Sequence, residues 1–252
     1  KEFNMFVKHL SSVGVNVVIF EDTLDPLTPD SIFPNNWVSF HENGEVVLYP
    51  MYAENRRLER RKEIFKFLQN EYSFKIEKIY DFTEFELRNK FLEGTGSMLL
   101  DRESKICYAA ISERTNKEIV LQFCKEFKFD PVFFSAYQSV ENKRLRIYHT
   151  NVMMCIADEF VIICLEAIDC EIELKKVVDK VNASGKEIIE ISEFQTNKFA
   201  GNMLQVLGGN QKYLVMSTSA YTSLTQHQIK KINKYCPILH SPLETIETCG
   251  GG

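Results

Sequence analysis

The chain has 252 residues, of which 44% are hydrophobic and 26% are charged, a composition typical of globular proteins with a substantial core. Its net charge of −5 at neutral pH argues against a nucleic-acid-binding surface, since such surfaces concentrate Lys and Arg to neutralise phosphates. No apolar run approaches the roughly 18 residues that cross a bilayer. We therefore expect neither a nucleic-acid partner nor a membrane segment.

The seven cysteines form an odd set without a CxxC pair, and most lie in apolar runs such as residues 152–156. This pattern is typical of reduced, buried thiols rather than of a disulfide framework or a zinc site. No signal-like segment is visible in the sequence. We expect a cytoplasmic protein that binds no metal.

Short β-type runs alternate with amphipathic helical patterns, and no Pro-, Gly- or Ser-rich linker separates them. The predicted helices are Lys1–Val13, Arg57–Glu71, Asn116–Phe127, Ile172–Ala183 and Ser223–Tyr235. The predicted strands are Val15–Phe20, Glu45–Pro50, Lys75–Tyr80, Ser97–Leu100, Ile106–Ile111, Pro131–Tyr137, Val152–Ile156, Glu159–Leu165, Glu187–Ile191, Met203–Leu207 and Tyr213–Ser217. The order recurs about every 50 residues, which predicts one α/β domain of several αβ units rather than a doubly wound sheet. Because the sequence has neither GxGxxG nor GxxxxGK[ST], it gives no support for nucleotide binding.

Both ends of the sequence suggest short missing segments. The chain opens on Lys1, directly in a helical pattern, and it ends in three consecutive glycines. A glycine run is costly to order and is normally kept where the backbone passes very close to another group. We therefore expect a functional residue just beyond Gly252.

Four polar clusters stand at the ends of predicted strands, where side chains tend to converge on a pocket. They are Pro29–Trp37 with Tyr49–Tyr52 and Asn55–Arg61, Glu93–Ser97, Tyr148–Asn151, and Cys249 with its glycines. Each cluster also fits an ordinary structural role. The paired Asn after Pro34 is typical of a turn, and Glu93-Gly-Thr-Gly fits a solvated loop.

Three further residue types have similar structural explanations. A His beside an apolar strand is commonly structural, the paired arginines fit a charged helix face, and Cys249 fits a small buried hydrophobe. Together, however, the clusters supply Cys, His and Glu with several Arg and Asn. That combination suits nucleophilic attack, acid–base chemistry and carboxylate binding.

The ordered set of motifs resembles the guanidine-modifying (amidinotransferase/arginine deiminase) superfamily, and within it the citrulline utilisation hydrolase branch. The motifs are Phe33-Pro34-Asn35-Asn36, Pro50-Met51-Tyr52 with Arg56-Arg57, Glu93-Gly94, Glu113-Arg114-Thr115, His149-x-Asn151 and the terminal glycines. The resemblance covers nearly the whole chain. It implies a single catalytic domain over residues 1–252 with the pentein fold, a pseudo-fivefold αβ propeller of ββαβ units around a central pocket.

The resemblance also implies roles for individual residues. His149 matches the general acid–base, and Glu93 matches the Glu that hydrogen-bonds the substrate nitrogens. Arg56 and Arg114 match the arginines that hold the substrate carboxylate. The other matched substrate-binding positions are Asp30, Phe33, Asn36 and Asn151. The nucleophile is a Cys a few residues after Gly252, with Cys249 as the less favoured alternative; no cofactor or metal is implied.

The sequence departs from the superfamily pattern where guanidine-binding members place carboxylates, because here Asn36 and Asn151 stand at those positions. An amide offers a donor and an acceptor but no charge, and a buried guanidinium without a countercharge is costly. These residues favour a neutral ureido amino acid such as citrulline, hydrolysed to ornithine with ammonia release.

Several alternatives remain open at this point. An arginine deiminase, a dihydrolase or an amidinotransferase would act on a guanidino substrate, for which Glu93 is a candidate countercharge. A catalytically inactive pentein-fold binding protein would keep the pocket without the nucleophile. The expected partner is a small amino-acid substrate, and the protein is a possible homo-oligomer.

Overall fold

The computed structural model describes residues 1–250, which form short helices and small sheets. The helices are α1 Glu2–Ser12, α2 Glu63–Tyr72, α3 Gly94–Ser97, α4 Lys117–Phe127, α5 Glu171–Ala183, α6 Glu193–Thr196, α7 Thr218–Ser223, α8 Gln226–Ile232 and α9 Glu244–Gly250. The strands are β1 Val38–Phe40, β2 Glu45–Leu48, β3 Lys78–Asp81, β4 Leu99–Asp101, β5 Ile106–Ala110, β6 Asp130–Phe134, β7 Tyr137–Val140, β8 Lys143–Arg146, β9 Met154–Ile156, β10 Phe160–Ile163, β11 Glu187–Glu190, β12 Leu204–Gly208, β13 Gln211–Ser217 and β14 Ile238–Ser241.

One supersecondary unit occurs four times in this part of the chain, as the three-stranded sheets β1-β2-β3, β4-β5-β6, β9-β10-β11 and β12-β13-β14. In each sheet the first two strands pair antiparallel and the second and third pair parallel. A helical crossover joins the parallel strands, as parallel pairing requires. The prediction of repeated αβ units is therefore confirmed, and each unit is ββαβ.

A short turn precedes the first strand of each unit. These turns are the 3-10 helices Pro34–Asn36 and Thr150–Val152, the helix α3, and the bend at residues 199–202. The residue between each turn and its strand is large and buried: Trp37, Met98, Met153 and Met203. Because these side chains enter the core, each turn is anchored by core packing.

The core consists of three groups of packed apolar side chains. The largest lies between the second, third and fourth units and includes Tyr108, Met154 and Leu214. Five of the seven cysteines are buried, and Cys170 and Cys249 are exposed. Most thiols are therefore buried, as the sequence indicated. Among the described helices, none is both long and apolar enough to span a bilayer.

Three predicted elements were wrong or misplaced. Residues 15–20 belong to no strand, because within residues 1–250 they have no hydrogen-bonded strand partner. Helix α2 starts at Glu63 rather than at residue 57, since Asn55–Glu59 forms a separate 3-10 helix. The helix predicted from residue 223 to 235 is shorter, because α8 starts only after Thr225, which caps it through a reciprocal bond with Gln228, and ends at Ile232.

Strands β1, β7, β8 and β14 and helices α3, α6, α7 and α9 were not predicted. Strands β7 and β8 form a hairpin whose two loop residues, Glu141 and Asn142, both have positive φ (47° and 62°). Such a turn is normally signalled by Asn-Gly or Asp-Gly, and Glu-Asn lacks that signal. Strand β1 has only three residues, which is too short for an alternating pattern.

Candidate active site

The turns that precede the first three units bring distant residues together. Asn36 ends the first turn, Glu93 directly precedes α3, and His149 directly precedes the third turn. Helix α3 contacts the turns on both sides of it, and the Asn202 amide donates to the Asn151 carbonyl at 3.2 Å. The structure therefore brings Asn36, Glu93 and His149 together at neighbouring turns.

Glu93 and His149 form a buried pair. His149 Nε2 lies 2.6 Å from Glu93 Oε2, and the two residues are 6% and 0% exposed, respectively. The Tyr52 backbone N–H donates to Glu93 Oε1 at 2.9 Å, and the backbone N–H of Glu93 donates to Ser97 Oγ at 3.1 Å. These bonds hold the carboxylate in one orientation toward the imidazole.

Protonation at this pair follows from burial and charge. Burial lowers the pKa of His149, and this effect exceeds the opposing influence of the Glu93 carboxylate. Burial raises the pKa of Glu93, but the hydrogen bond with His149 and the charges of His149 and Arg114 outweigh it, so the pKa is lowered. At neutral pH, Glu93 is ionised and His149 is neutral. Its Nε2 then carries the proton and donates to Glu93, which leaves Nδ1 as an acceptor.

Asn36 is held by a buried ion pair. Arg56 Nη1 donates to Asn36 Oδ1 at 2.9 Å, while Arg56 Nε and Nη2 donate to the two oxygens of Glu59 at 2.9 and 3.0 Å. Arg56 Nη2 also lies 3.4 Å from the Asp30 carbonyl and 3.5 Å from the Phe33 carbonyl. Asn36, Arg56 and Glu59 are each at most 6% exposed. Arg56 therefore joins the turn before β1 to the 3-10 helix that carries Glu59.

Two glycines permit the close approach of the turns. A Cβ on Gly94, which has φ of +47°, would lie 2.1 Å from the Asn35 carbonyl oxygen. A Cβ on Gly96 would lie 2.4 Å from Asn36 Nδ2 and 3.2 Å from His149 Nδ1. Since both nitrogens are near one point, they are at most 5.6 Å apart, the sum of these two distances. Glycine is therefore required at Gly96 for the Asn36 amide and the His149 ring to pack this closely against the backbone.

Arg114 lies at the more open side of the pair. Its Nη1 is 3.5 Å from Glu93 Oε2, and its guanidinium lies over the rings of Tyr148 and Tyr52, 4.7 and 5.6 Å from their centroids. The Arg114 side chain is 30% exposed. It is thus the matched arginine that still presents N–H groups to solvent, supported by two aromatic faces.

The remaining predicted positions lie around this centre. A Cβ on Gly250 would lie only 2.5 Å from Cζ of the Phe33 ring. The glycine run thus begins at a close approach, as predicted, whereas Gly251 and Gly252 lie outside the described residues. The Asp30 side chain is 35% exposed and lies 4.0 Å from Arg56. Asn151 is half-buried and follows His149 by two residues, and Cys249 is exposed.

Sequence reasoning placed Glu59, Tyr52 and Gly96 within its polar clusters but assigned none of them a role in the site. Glu59 follows Arg56 by three residues, which is a spacing typical of an ordinary helical surface pair. The Tyr52 contribution comes from its backbone N–H, which no residue type would indicate. Within residues 1–250, no cluster of three or more His, Cys, Asp or Glu side chains could hold a metal ion.

Several solved structures share this fold. Apo ArgZ, an arginine dihydrolase of the ornithine–ammonia cycle in cyanobacteria, superimposes with a TM-score of 0.72 at 17% identity over 99% of this chain and 36% of its own. The AgrE C264A mutant with L-arginine gives 0.73 at 17% identity over 99% of this chain and 33% of its own. A dimethylarginine dimethylaminohydrolase adduct with 4-chloro-2-hydroxymethylpyridine gives 0.66 at 17% identity over 100% of this chain and 86% of its own. This chain therefore spans about a third of the full ArgZ and AgrE chains.

The repeated units and the structural likeness show the pentein fold that these solved structures share. The model of the family described as "N,N dimethylarginine dimethylhydrolase, eukaryotic" matches residues 1–252, and the chain belongs to that family. No curated protein sequence matches the chain.

Proposed function

We propose that this protein hydrolyses the ureido group of an amino acid, converting citrulline to ornithine with ammonia release through a covalent Cys intermediate. The observation that carries the proposal is that His149 Nδ1 and Asn36 Nδ2 both pack against Gly96. A base and an uncharged donor thus lie side by side. This arrangement suits a neutral substrate with one oxygen to bind and one nitrogen to protonate.

His149 is proposed to move the proton in both halves of the reaction. Neutral Nδ1 takes the proton of the cysteine thiol, and the thiolate attacks the ureido carbon. The bond from that carbon to the side-chain nitrogen breaks, and the same proton passes to the departing ornithine nitrogen. Water then attacks the carbamoyl thioester while Nδ1 takes its proton, the bond from carbon to sulfur breaks, and the proton returns to the cysteine sulfur. The released carbamic acid decomposes to ammonia and carbon dioxide.

Glu93 is proposed to keep His149 in the form that this sequence requires. Its carboxylate accepts a hydrogen bond from Nε2–H of His149, so the free lone pair of the imidazole is on Nδ1. The negative charge of Glu93 also stabilises the imidazolium that forms in each half-reaction. A bond from Glu93 to a substrate nitrogen, which the superfamily resemblance implies, stays a prediction. Arg114 is proposed to bind the substrate carboxylate, because its exposed guanidinium is oriented by two tyrosine rings.

A guanidino substrate is the second candidate. The family description names N,N-dimethylarginine, and the partly exposed Asp30 carboxylate beside Arg56 offers a negative charge for a cationic group. In that reaction the thiolate displaces dimethylamine or ammonia, and water then releases citrulline. The two candidates therefore differ in their products.

The test uses the full-length protein with citrulline, L-arginine and N,N-dimethylarginine supplied separately. We expect ornithine and ammonia from citrulline, with a higher kcat/KM than for either guanidino substrate. Dimethylamine release from N,N-dimethylarginine without turnover of citrulline would refute the ureido proposal and establish the second candidate. Absence of turnover of all three would refute both.

Matched variants test the residue roles. His149→Gln keeps a planar amide but removes the base, and we expect loss of turnover with an unchanged thermal unfolding midpoint. Cys249→Ala is the control for the nucleophile, because Cys249 is exposed and the expected nucleophile follows Gly252. We expect Cys249→Ala to keep most of the wild-type turnover; loss of turnover would identify Cys249 as the nucleophile instead.

A further inference from the structure

We infer that Arg56 and Glu59 form a positioning pair that fixes the direction of the Asn36 amide, so that its N–H donors rather than its oxygen face the reacting group. This inference rests on the proposed function, because it concerns how the same site selects its substrate. It gives Arg56 a role different from carboxylate binding, which the superfamily resemblance implies.

The direction of the amide follows from the chemistry of its partner. Arg56 Nη1 is 2.9 Å from the Asn36 side chain, and a guanidinium has only donors. The atom of Asn36 that faces Arg56 must therefore be the oxygen, and Nδ2 must face the opposite side. On that side Nδ2 packs against Gly96, beside His149 Nδ1.

Arg56 itself is largely saturated by protein acceptors. Of its five N–H groups, Nε and one of Nη2 bond to Glu59, one of Nη1 bonds to Asn36, and the second of Nη2 faces the Asp30 and Phe33 carbonyls. A substrate carboxylate is best held by two parallel N–H donors. Arg56 has at most one left, so it is not arranged for that role, whereas Arg114 is.

Glu59 is required because its carboxylate binds both Nε and Nη2 of Arg56 and so fixes the plane of the guanidinium. Its side chain is 1% exposed and its two oxygens each accept from Arg56. The pair also cancels its own charge, so it adds no net countercharge on the Asn36 side of the site. Two N–H donors from Nδ2 therefore bind a ureido oxygen well and meet a guanidinium, which has only N–H groups, unfavourably.

The test measures the ratio of kcat/KM for citrulline to that for L-arginine. Arg56→Met combined with Glu59→Met replaces the buried pair by apolar side chains of similar length, an exchange that buried ion pairs often tolerate. The freed amide can turn its oxygen to the site, and we expect the ratio to fall by about ten- to a hundredfold, the range for one buried hydrogen bond. Arg56→Lys keeps a donor toward Asn36 and should restore part of the ratio.

A background variant identifies the residue through which the pair acts. In Asn36→Ala protein, the Arg56→Met and Glu59→Met changes should leave the ratio unaltered, since the amide that they orient is gone. A further fall of the ratio in that background would overturn the inference. So would a rise in KM that occurs for citrulline but not for a ureido analogue lacking the carboxylate, because that result assigns Arg56 to carboxylate binding.

The inference and the proposed function can fail separately. The side-chain amide signals of Asn36, assigned by comparison with Asn36→Ala, report its restriction in NMR spectra without any turnover. We expect them to shift and to exchange faster with water in the double Met variant. Unchanged signals would overturn the positioning role whatever the substrate proves to be, whereas changed signals in a protein that ignores citrulline would refute only the ureido proposal.

Discussion

Replacement of Gly96 by Ala is the sharpest test of the proposed site geometry. The added methyl group would stand 2.4 Å from Asn36 Nδ2 and 3.2 Å from His149 Nδ1. The first distance is well below van der Waals contact, so the Asn36 amide must move. Because Arg56 holds the other end of that amide, it cannot retreat without breaking a buried hydrogen bond.

The cost has two parts of similar size. Overpacking by one methyl group typically destabilises a protein by about 1–3 kcal/mol. Displacement of the amide removes one buried hydrogen bond to the substrate, which is worth about 1–3 kcal/mol. The second part corresponds to about a ten- to hundredfold loss of kcat/KM. We expect both effects, a lower thermal unfolding midpoint and a loss of activity per folded molecule.

Gly185→Ala is the matched control. Gly185 has φ of +76° and no heavy atom within 4 Å of an added Cβ, so the substitution strains the backbone by about 1–2 kcal/mol without touching the site. We expect a comparable loss of stability in urea unfolding but wild-type kcat/KM. A Gly96→Ala protein with wild-type kcat/KM and stability would refute the described approach of Asn36 and His149.

Three further predictions concern charge and protonation. Asn36→Asp with Asn151→Asp should weaken use of citrulline and improve use of L-arginine, each by about ten- to a hundredfold; equal losses for both substrates would instead indicate damage to the pocket. Since burial lowers the pKa of His149, the acidic limb of a kcat/KM profile should fall below pH 6.5, its ordinary value, and a limb above that value would contradict the neutral imidazole. Burial and the charges of Arg102 and Lys105 lower the pKa of His41 from 6.5 to about 4, so the unfolded chain takes up a proton between these values before the folded one does, and stability falls as pH decreases through that window. The full pKa shift of His41 corresponds to about 3 kcal/mol of unfolding free energy, which its partial exposure reduces to about 1–2 kcal/mol. When urea unfolding is compared at pH 7 and pH 5, His41→Gln should therefore lose less stability than wild type. An equal loss would contradict this assignment.

The repeated units were predictable because their central strands are apolar and buried. Strands β5 and β10 are buried along their entire length, so residue type alone identifies them. Residues 15–20 have the same β-type composition, yet they form no strand in the described chain. A strand exists only where a partner is present, and the sequence of one segment does not contain that information.

The candidate site was predictable where a residue type itself carries the chemistry. Glu93 and His149 stood out as titratable groups beside apolar strands, and the structure places them 2.6 Å apart. Glu59 was not identified, because a Glu three residues after an Arg is common on exposed helices. Its burial against Arg56 depends on the turn before β1, which lies more than 20 positions earlier in the chain.

The large side chain before each first strand has a consequence for how the catalytic centre assembles. Trp37, Met98 and Met153 each anchor one turn to its own sheet, so each ββαβ unit brings a single reactive component already oriented. The catalytic centre is then complete only when neighbouring units pack together. Unfolding of any one unit separates the catalytic residues while the other sheets remain folded. Partial denaturation should therefore abolish turnover before most of the secondary structure is lost, and the same modularity lets a change confined to one turn alter the chemistry of the centre without redesign of the fold.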